Sequence, residues 1–225
     1  MRVSQRETLY RYMASVINRL DRRGRWLRYH YRDRRLLEGT ILPAIARDEA
    51  PGRLLMVGCD WYTRHYPLCF NGCSVTTMDI DAAKAWFGAR CHITDSLANV
   101  SRHFDRDSLD TVICNGVIGW GLDSRAEIEQ ALAGCIEALR PGGLLLIGWN
   151  DKAPHNAHAP HAMTALTPME PIHVPGLATH EMMALARNRH TFQAWRKPVT
   201  PTVDPTAPAR SAASVGDTPA TPESD

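Results

Sequence analysis

No apolar run of about 18 residues, the length a membrane-crossing helix needs, occurs anywhere in the 225-residue chain, so no transmembrane segment is expected. The first residues carry Arg but no apolar core of the kind a secretory leader requires, and too many acids for an organellar transit peptide. Six cysteines scattered over 225 residues do not form a disulfide framework, and a reducing, cytoplasmic setting is expected. Cys69 and Cys73 have no second pair of matching spacing, so no metal site is expected there. No Gly-x-Gly-x-x-Gly follows the first apolar run, which argues against a nicotinamide dinucleotide ligand. Lysine is missing from the first fifty residues, although twelve arginines are present there.

What is present suits a globular chain: 44% hydrophobic and 22% charged residues. The net charge of +2 is uneven. Residues 1–50 carry +6, residues 51–196 carry −2 and residues 197–225 carry −2. The middle of the chain is therefore no general polyanion binder, and nucleic acid is not an expected partner.

The apolar pattern divides the chain into three parts. Residues 1–50 read as a basic helical extension. Leu9, Met13, Val16, Ile17 and Leu20 make one helix face, Gly24 interrupts it, and a second helix passes through Trp26, Tyr29, Leu36 and Leu37 to about Gly39. These helices are expected to cap the following domain or to pack on a second copy as a homodimer. Residues 51–197 change period. Leu54–Val57, Val75–Met78, Cys91–Ile93, Thr111–Cys114 and Leu144–Trp149 are short apolar runs of the kind buried on both faces. Between the last two, Ser124 and Glu127 make a capping box before Ile128, Leu132, Cys135, Ile136 and Leu139, and Pro141-Gly142-Gly143 stops the helix. Strands alternating with helices predict an α/β fold with a doubly wound, mostly parallel sheet and helices on both faces. A further helix is expected over 179–188 and a closing strand over 191–196. Residues 198–225, rich in Pro, Thr and Ala and poor in apolar bulk, read as a disordered tail.

Ligands of open α/β sheets bind at the carboxyl ends of the strands. Those ends here are Gly58-Cys59-Asp60, Asp79-Ile80, Asp95-Ser96 and Asn115-Gly116-Val117. Asp79 lies 21 residues after Gly58, the spacing at which a carboxylate reaches ribose hydroxyls. A simple helix N-cap is the competing reading of Asp79.

The ordered series Leu54-Leu55-Met56-Val57-Gly58-Cys59-Asp60, Met78-Asp79-Ile80-Asp81, Asp95, Leu109 to Asn115, and Leu139-Arg140-Pro141-Gly142-Gly143-Leu144-Leu145 resembles that of the class I S-adenosylmethionine-dependent methyltransferases, over roughly residues 53–149. His190 to Arg196 resembles the closing strand of such domains. The resemblance implies the Rossmann-like methyltransferase fold and S-adenosylmethionine as cofactor. Gly58 with Cys59 and Asp60 would face its methionine portion, Asp79 its ribose and Ile80 its adenine face. Asp95, with Ser96 beside it, would meet the adenine amino group, and Asn115, Gly116 and Val117 would floor the reactive methyl.

The chain departs from that family in its first loop, where an acid and two glycines are replaced by Met56, Asp60 and Tyr62. Cofactor binding is therefore either altered or lost. The tetrapeptide of amino-methylating members is absent, Asn115-Gly116-Val117-Ile118 standing in its place. The expected activity is methyl transfer to a small-molecule or glycan-like acceptor through oxygen; the alternative is a catalytically silent binding module of the same fold that has lost cofactor binding. No general base is apparent from spacing. His155, His158 and His161 read as solvated loop residues, a base or a metal site. Trp61, Tyr62, Tyr66 and Trp120 read as an aromatic wall or as ordinary packing.

Overall fold

Alternation along the central strands sends Leu54 and Met56 to one face of a sheet and Leu55 and Val57 to the other. The computed structural model describes residues 5–21, 31–185 and 187–199. Its strands are β1 (Arg53–Val57), β2 (Ser74–Asp79), β3 (Cys91–Thr94), β4 (Leu109–Asn115), β5 (Leu139–Asn150), β6 (Glu170–Ile172), β7 (Glu181–Leu185) and β8 (His190–Arg196). They pair in the order β3-β2-β1-β4-β5-β8-β6, with β7 also on β8. Neighbours from β3 to β5 are parallel; β8 runs antiparallel to β5, and β6 and β7 take successive lengths of its outer edge. This is the expected mostly parallel sheet, with its order reversing between β1 and β4.

Each face is covered by one long helix. Helix α1 (Gln5–Asp21) packs on the Ala82–Phe87 segment. Residues 32–49 form α2, in which α-helical turns at Arg32–Leu36 and Leu42–Ala44 alternate with π-helical turns at Leu37–Ile41 and Ile45–Glu49. Its Leu37, Ile41, Leu42 and Ile45 pack on Leu54, Met56, Ile113 and Leu146. Helix α3 (Arg125–Ala138) begins at the capping box read from the sequence, Ser124 and Glu127 each bonding the other's backbone N–H. Its Ile128, Leu132 and Cys135 cover the opposite face against Val112, Cys114 and Leu145. The other crossovers are short 3-10 turns, Tyr66–Cys69, Ala82–Phe87 and Leu97–Arg102, rather than full helices.

Four expectations need correction. The second helix does not stop near Gly39, which lies exposed within a π-helical turn; the helix ends at Ala50, in the left-handed conformation with φ 39°. The face of α1 is rotated from the predicted one. Ala14 and Ile17 are buried against Phe87, with Tyr10 and Met13 beside them, while Leu9 and Val16 are exposed. Residues 181–185 form strand β7, not helix: the free edge of β8 offers backbone partners, and burial alternates from exposed Glu181 and Met183 to buried Ala184. Strand β5 starts at Leu139, so Pro141-Gly142-Gly143 lies within it beside a bulge in the pairing with β4. Gly24, Trp26, Tyr29 and the tail from 200 onward lie outside the described residues. None of the described helices is long and apolar enough to cross a membrane.

Candidate functional site

Apolar strand runs end where the chain must leave the sheet, and polar residues at those ends become the rim of a cleft. The cleft here has a volume of about 850 Å³ and runs along the carboxyl ends of β1 to β4. All ten residues singled out from the sequence line it: Gly58, Cys59, Asp60, Asp79, Ile80, Asp95, Ser96, Asn115, Gly116 and Val117.

Asp79, at the end of β2, is buried at 7% exposure and is fixed by the backbone. Its Oδ2 accepts from the Cys59 N–H at 2.7 Å, and its Oδ1 from the Asp81 N–H at 2.9 Å. Each oxygen keeps a second lone pair for a ligand. The helix-cap role considered for Asp79 belongs instead to Asp81, whose side chain accepts from the Ala83 N–H. Lys84 Nζ lies 3.7 Å from both the Asp79 and Asp60 carboxylates. Burial alone would lower its ammonium pKa, but Asp79 and then Asp60 more than offset that and hold it above the usual range.

Gly58 has φ 90°, and a β-carbon there would stand 2.9 Å from the Asn115 carbonyl oxygen and 3.2 Å from Val117. Only glycine allows β1 to turn this close to the end of β4. Met56, where the related motif has an acid, is turned into the α2 core and does not line the cleft. Asp60 does line it, accepting from the Trp61 N–H at 2.8 Å. Cys59 is an unreactive thiol, since burial and then Asp79 push its pKa up to about 12.

Asp95 is bonded more heavily than its spacing suggested. Its Oδ1 accepts from Asn99 and from the Ser96 N–H, and its Oδ2 lies 2.8 Å from His103 Nε2. Asn99 first, then His103 and the Ser96 N–H, bring its pKa down to about 2. Ile80 is 59% exposed, a flat apolar surface beside Asp79.

The opposite end of the cleft holds residues that sequence reasoning missed. Asp33 and Arg34 from the first turn of α2, together with Asn150, Arg187 and His190, line it. Their one sequence signal is that Asp33 shares the stripe of Leu37 and Ile41, putting an acid on the buried face of α2. His190 is buried between two carboxamides, with Nδ1 2.6 Å from Asn150 Oδ1 and Nε2 3.1 Å from Asn115 Oδ1. Burial, and then the Arg34 charge, bring its pKa down to about 3, so the ring is neutral. A neutral imidazole donates from one nitrogen only, so one carboxamide accepts from the ring and the other turns its NH₂ towards it.

The histidine triplet does not converge on this site. His155 stacks on Trp120, with centroids 3.8 Å apart, and bonds the Gly119 carbonyl through Nδ1. His155 and His158 line a separate pocket of about 260 Å³. Among the described residues no group of three His, Cys, Asp or Glu could hold a metal ion. Of the four aromatics, Trp61, Tyr62 and Trp120 line the cleft, whereas Tyr66 is buried behind it.

This architecture recurs among solved structures. The N-methyltransferase NodS from Bradyrhizobium japonicum WM9, in complex with S-adenosyl-L-homocysteine, matches with TM-score 0.61 and 15% identity over 87% of this chain and 100% of that chain. The fold is that of the class I S-adenosylmethionine-dependent methyltransferases. NodS in a second crystal structure matches with TM-score 0.54 and 16% identity over 71% of this chain and 93% of that chain. A probable spermidine synthase from Corynebacterium glutamicum ATCC 13032 also matches, with TM-score 0.54 and 16% identity over 80% of this chain and 68% of that chain. No protein-family model and no curated protein matches the sequence. Because methyltransferases share this fold with a probable spermidine synthase, function has to be argued from the cleft itself.

Proposed function

We propose that the chain is an S-adenosylmethionine-dependent methyltransferase acting on a small-molecule or glycan-like acceptor, through oxygen. The observation that carries this reading is the pinned Asp79 carboxylate, buried at the end of β2 with free lone pairs facing the cleft. The residues present fit the cofactor. Asp79 would hold the ribose hydroxyls, the exposed face of Ile80 would carry the adenine, and Asp95 with Ser96 would meet the adenine edge. Gly58 and Cys59 give the close backbone approach that the methionine portion needs. Asp60 supplies the carboxylate that Met56 does not, facing an α-ammonium group.

The bound cofactor supplies an electrophilic methyl carried by a cationic sulfur, so catalysis is mostly alignment. Asn115, Gly116 and Val117 form the floor on which the reacting groups are aligned. For a hydroxyl acceptor a base is needed, and Asp33 is the candidate the sequence did not offer. Its Oδ1 is shielded from solvent and has no hydrogen-bond partner among the described residues. In the proposed reaction that oxygen takes the hydroxyl proton as the acceptor oxygen is methylated.

The first loop favours a second reading, a catalytically silent binding module: Asp60 and Tyr62 replace glycines, and Lys84 stands between Asp60 and Asp79. Incubating the full chain with methyl-labelled S-adenosylmethionine and a panel of hydroxylated small molecules separates the two. Labelled product that disappears in Asp33→Asn supports the enzyme. No detectable binding of S-adenosylmethionine by the full chain supports the silent module, which has lost the cofactor.

A further inference from the structure

We infer that the acceptor is an anion, a small flat molecule whose carboxylate or phosphate group is held by the Arg34 guanidinium beside the Asn115-Gly116 turn. The word acceptor rests on the methyltransferase reading; the anion site itself does not. Arg34 lines the cleft with its side chain only 12% exposed. Its Nη2 stands 3.8 Å from where a β-carbon of Gly116 would be, directly over the end of β4.

A guanidinium has five N–H donors, and burying any of them unpaired is unfavourable. Arg34 Nη1 is sheltered from solvent and has no partner among the described residues. The carboxylate beside it, Asp33, approaches Nε only to 3.6 Å, close enough to attract but too far to hydrogen-bond. The pair is thus unfinished on both sides, since Asp33 Oδ1 also lacks a partner. The guanidinium is nevertheless held in place by a hydrogen bond with the Tyr66 hydroxyl and by the Tyr62 ring, over which its central carbon lies at 4.7 Å. A planar cation with a fixed orientation, one unpartnered nitrogen and Nη2 beside the Gly116 turn suits a carboxylate or phosphate.

Charge along the cleft points the same way. Among the described residues, the end lined by Asp60, Asp79, Asp81 and Asp95 carries one compensating cation, Lys84, and repels an anion. The other end has, among the described residues, Arg34 and Arg187 against the one acid Asp33, and its floor contains the neutral His190. Tyr31 and Trp120 on the walls accommodate a flat body.

The test is ligand-observed NMR on the full chain at about 150 mM salt, where screening removes diffuse attraction. Benzoate, phenyl phosphate and the uncharged benzamide are each titrated with and without saturating S-adenosylhomocysteine. The inference predicts that at least one anion binds about tenfold or more tightly than benzamide. Arg34→Gln removes that preference and leaves S-adenosylhomocysteine affinity within about twofold; Arg34→Lys, which keeps the charge but not the fork, retains only part of it. Stronger binding of benzoate or of phenyl phosphate identifies the anion. Equal binding of all three probes, or an anion preference that survives in Arg34→Gln, overturns the inference. Failure of S-adenosylhomocysteine itself to bind overturns the methyltransferase reading instead, because the anion titrations are read without it as well.

Discussion

At one end of the cleft, polar groups are positioned by backbone: Asp79 is clamped by the N–H groups of Cys59 and Asp81, and Gly58 turns against the Asn115 carbonyl. At the other end they are positioned by side chains from distant segments, Arg34 from α2, Asn115 from β4, Asn150 from β5 and His190 from β8. The first end is acidic and strand-bound, the second mixed in charge and assembled across the fold. A fixed backbone cradle suits the part of a reaction common to a fold, and an assembly of side chains suits the part that distinguishes one chain from another.

The largest effect expected from breaking the first end is that of Asp79→Ala, which should weaken S-adenosylhomocysteine binding by about 100-fold, equivalent to the loss of two charge-assisted hydrogen bonds. Asp79→Asn should lose less, since it keeps one acceptor oxygen. Gly58→Ala attacks the same end through the backbone. The strained φ and the 2.9 Å approach to the Asn115 carbonyl should destabilise the fold by about 1–3 kcal/mol and weaken cofactor affinity as well. Thermal melting beside calorimetric titration reads both.

Acid separates the two ends further. The unfolded chain protonates His190 near its ordinary pKa of 6.5, whereas the folded chain does so only near 3. Falling pH therefore favours unfolding through that window, by up to about 1.4 kcal/mol per pH unit, and leaves stability unaffected above it. Asp95 behaves oppositely in origin. Its lowered pKa adds stability above the ordinary carboxylate range, lost only as pH falls towards about 2. The stability slope between pH 6.5 and 4 should thus shrink in His190→Gln, measured by denaturant titration at several pH values. The smallest effect is a control on the comparison. Ser124→Ala removes the cap of α3 and should cost about 1 kcal/mol while altering neither end of the cleft.

The contrast between the ends also explains what could be read from the sequence. Leu54–Val57 and Val75–Met78 announce buried strands because both faces are apolar, and Gly58 and Asp79 follow them directly, so one end of the cleft is local in sequence. The other end is not. Arg34, Gly116 and His190 meet only through the sheet order, and Asp33 and Arg34 stand among arginines that resemble a solvated helix face. Glu181-Met182-Met183-Ala184-Leu185 has strong helix propensity, yet the open edge of β8 decides its conformation by offering backbone partners.

The central claim, that the strand ends of this chain form a working S-adenosylmethionine site despite the altered first loop, is tested most directly by isothermal titration of the full chain with S-adenosylhomocysteine. Saturable binding of one ligand per chain is expected, weakened about 100-fold in Asp79→Ala. No heat at millimolar ligand, or equal binding by Asp79→Ala, would contradict it.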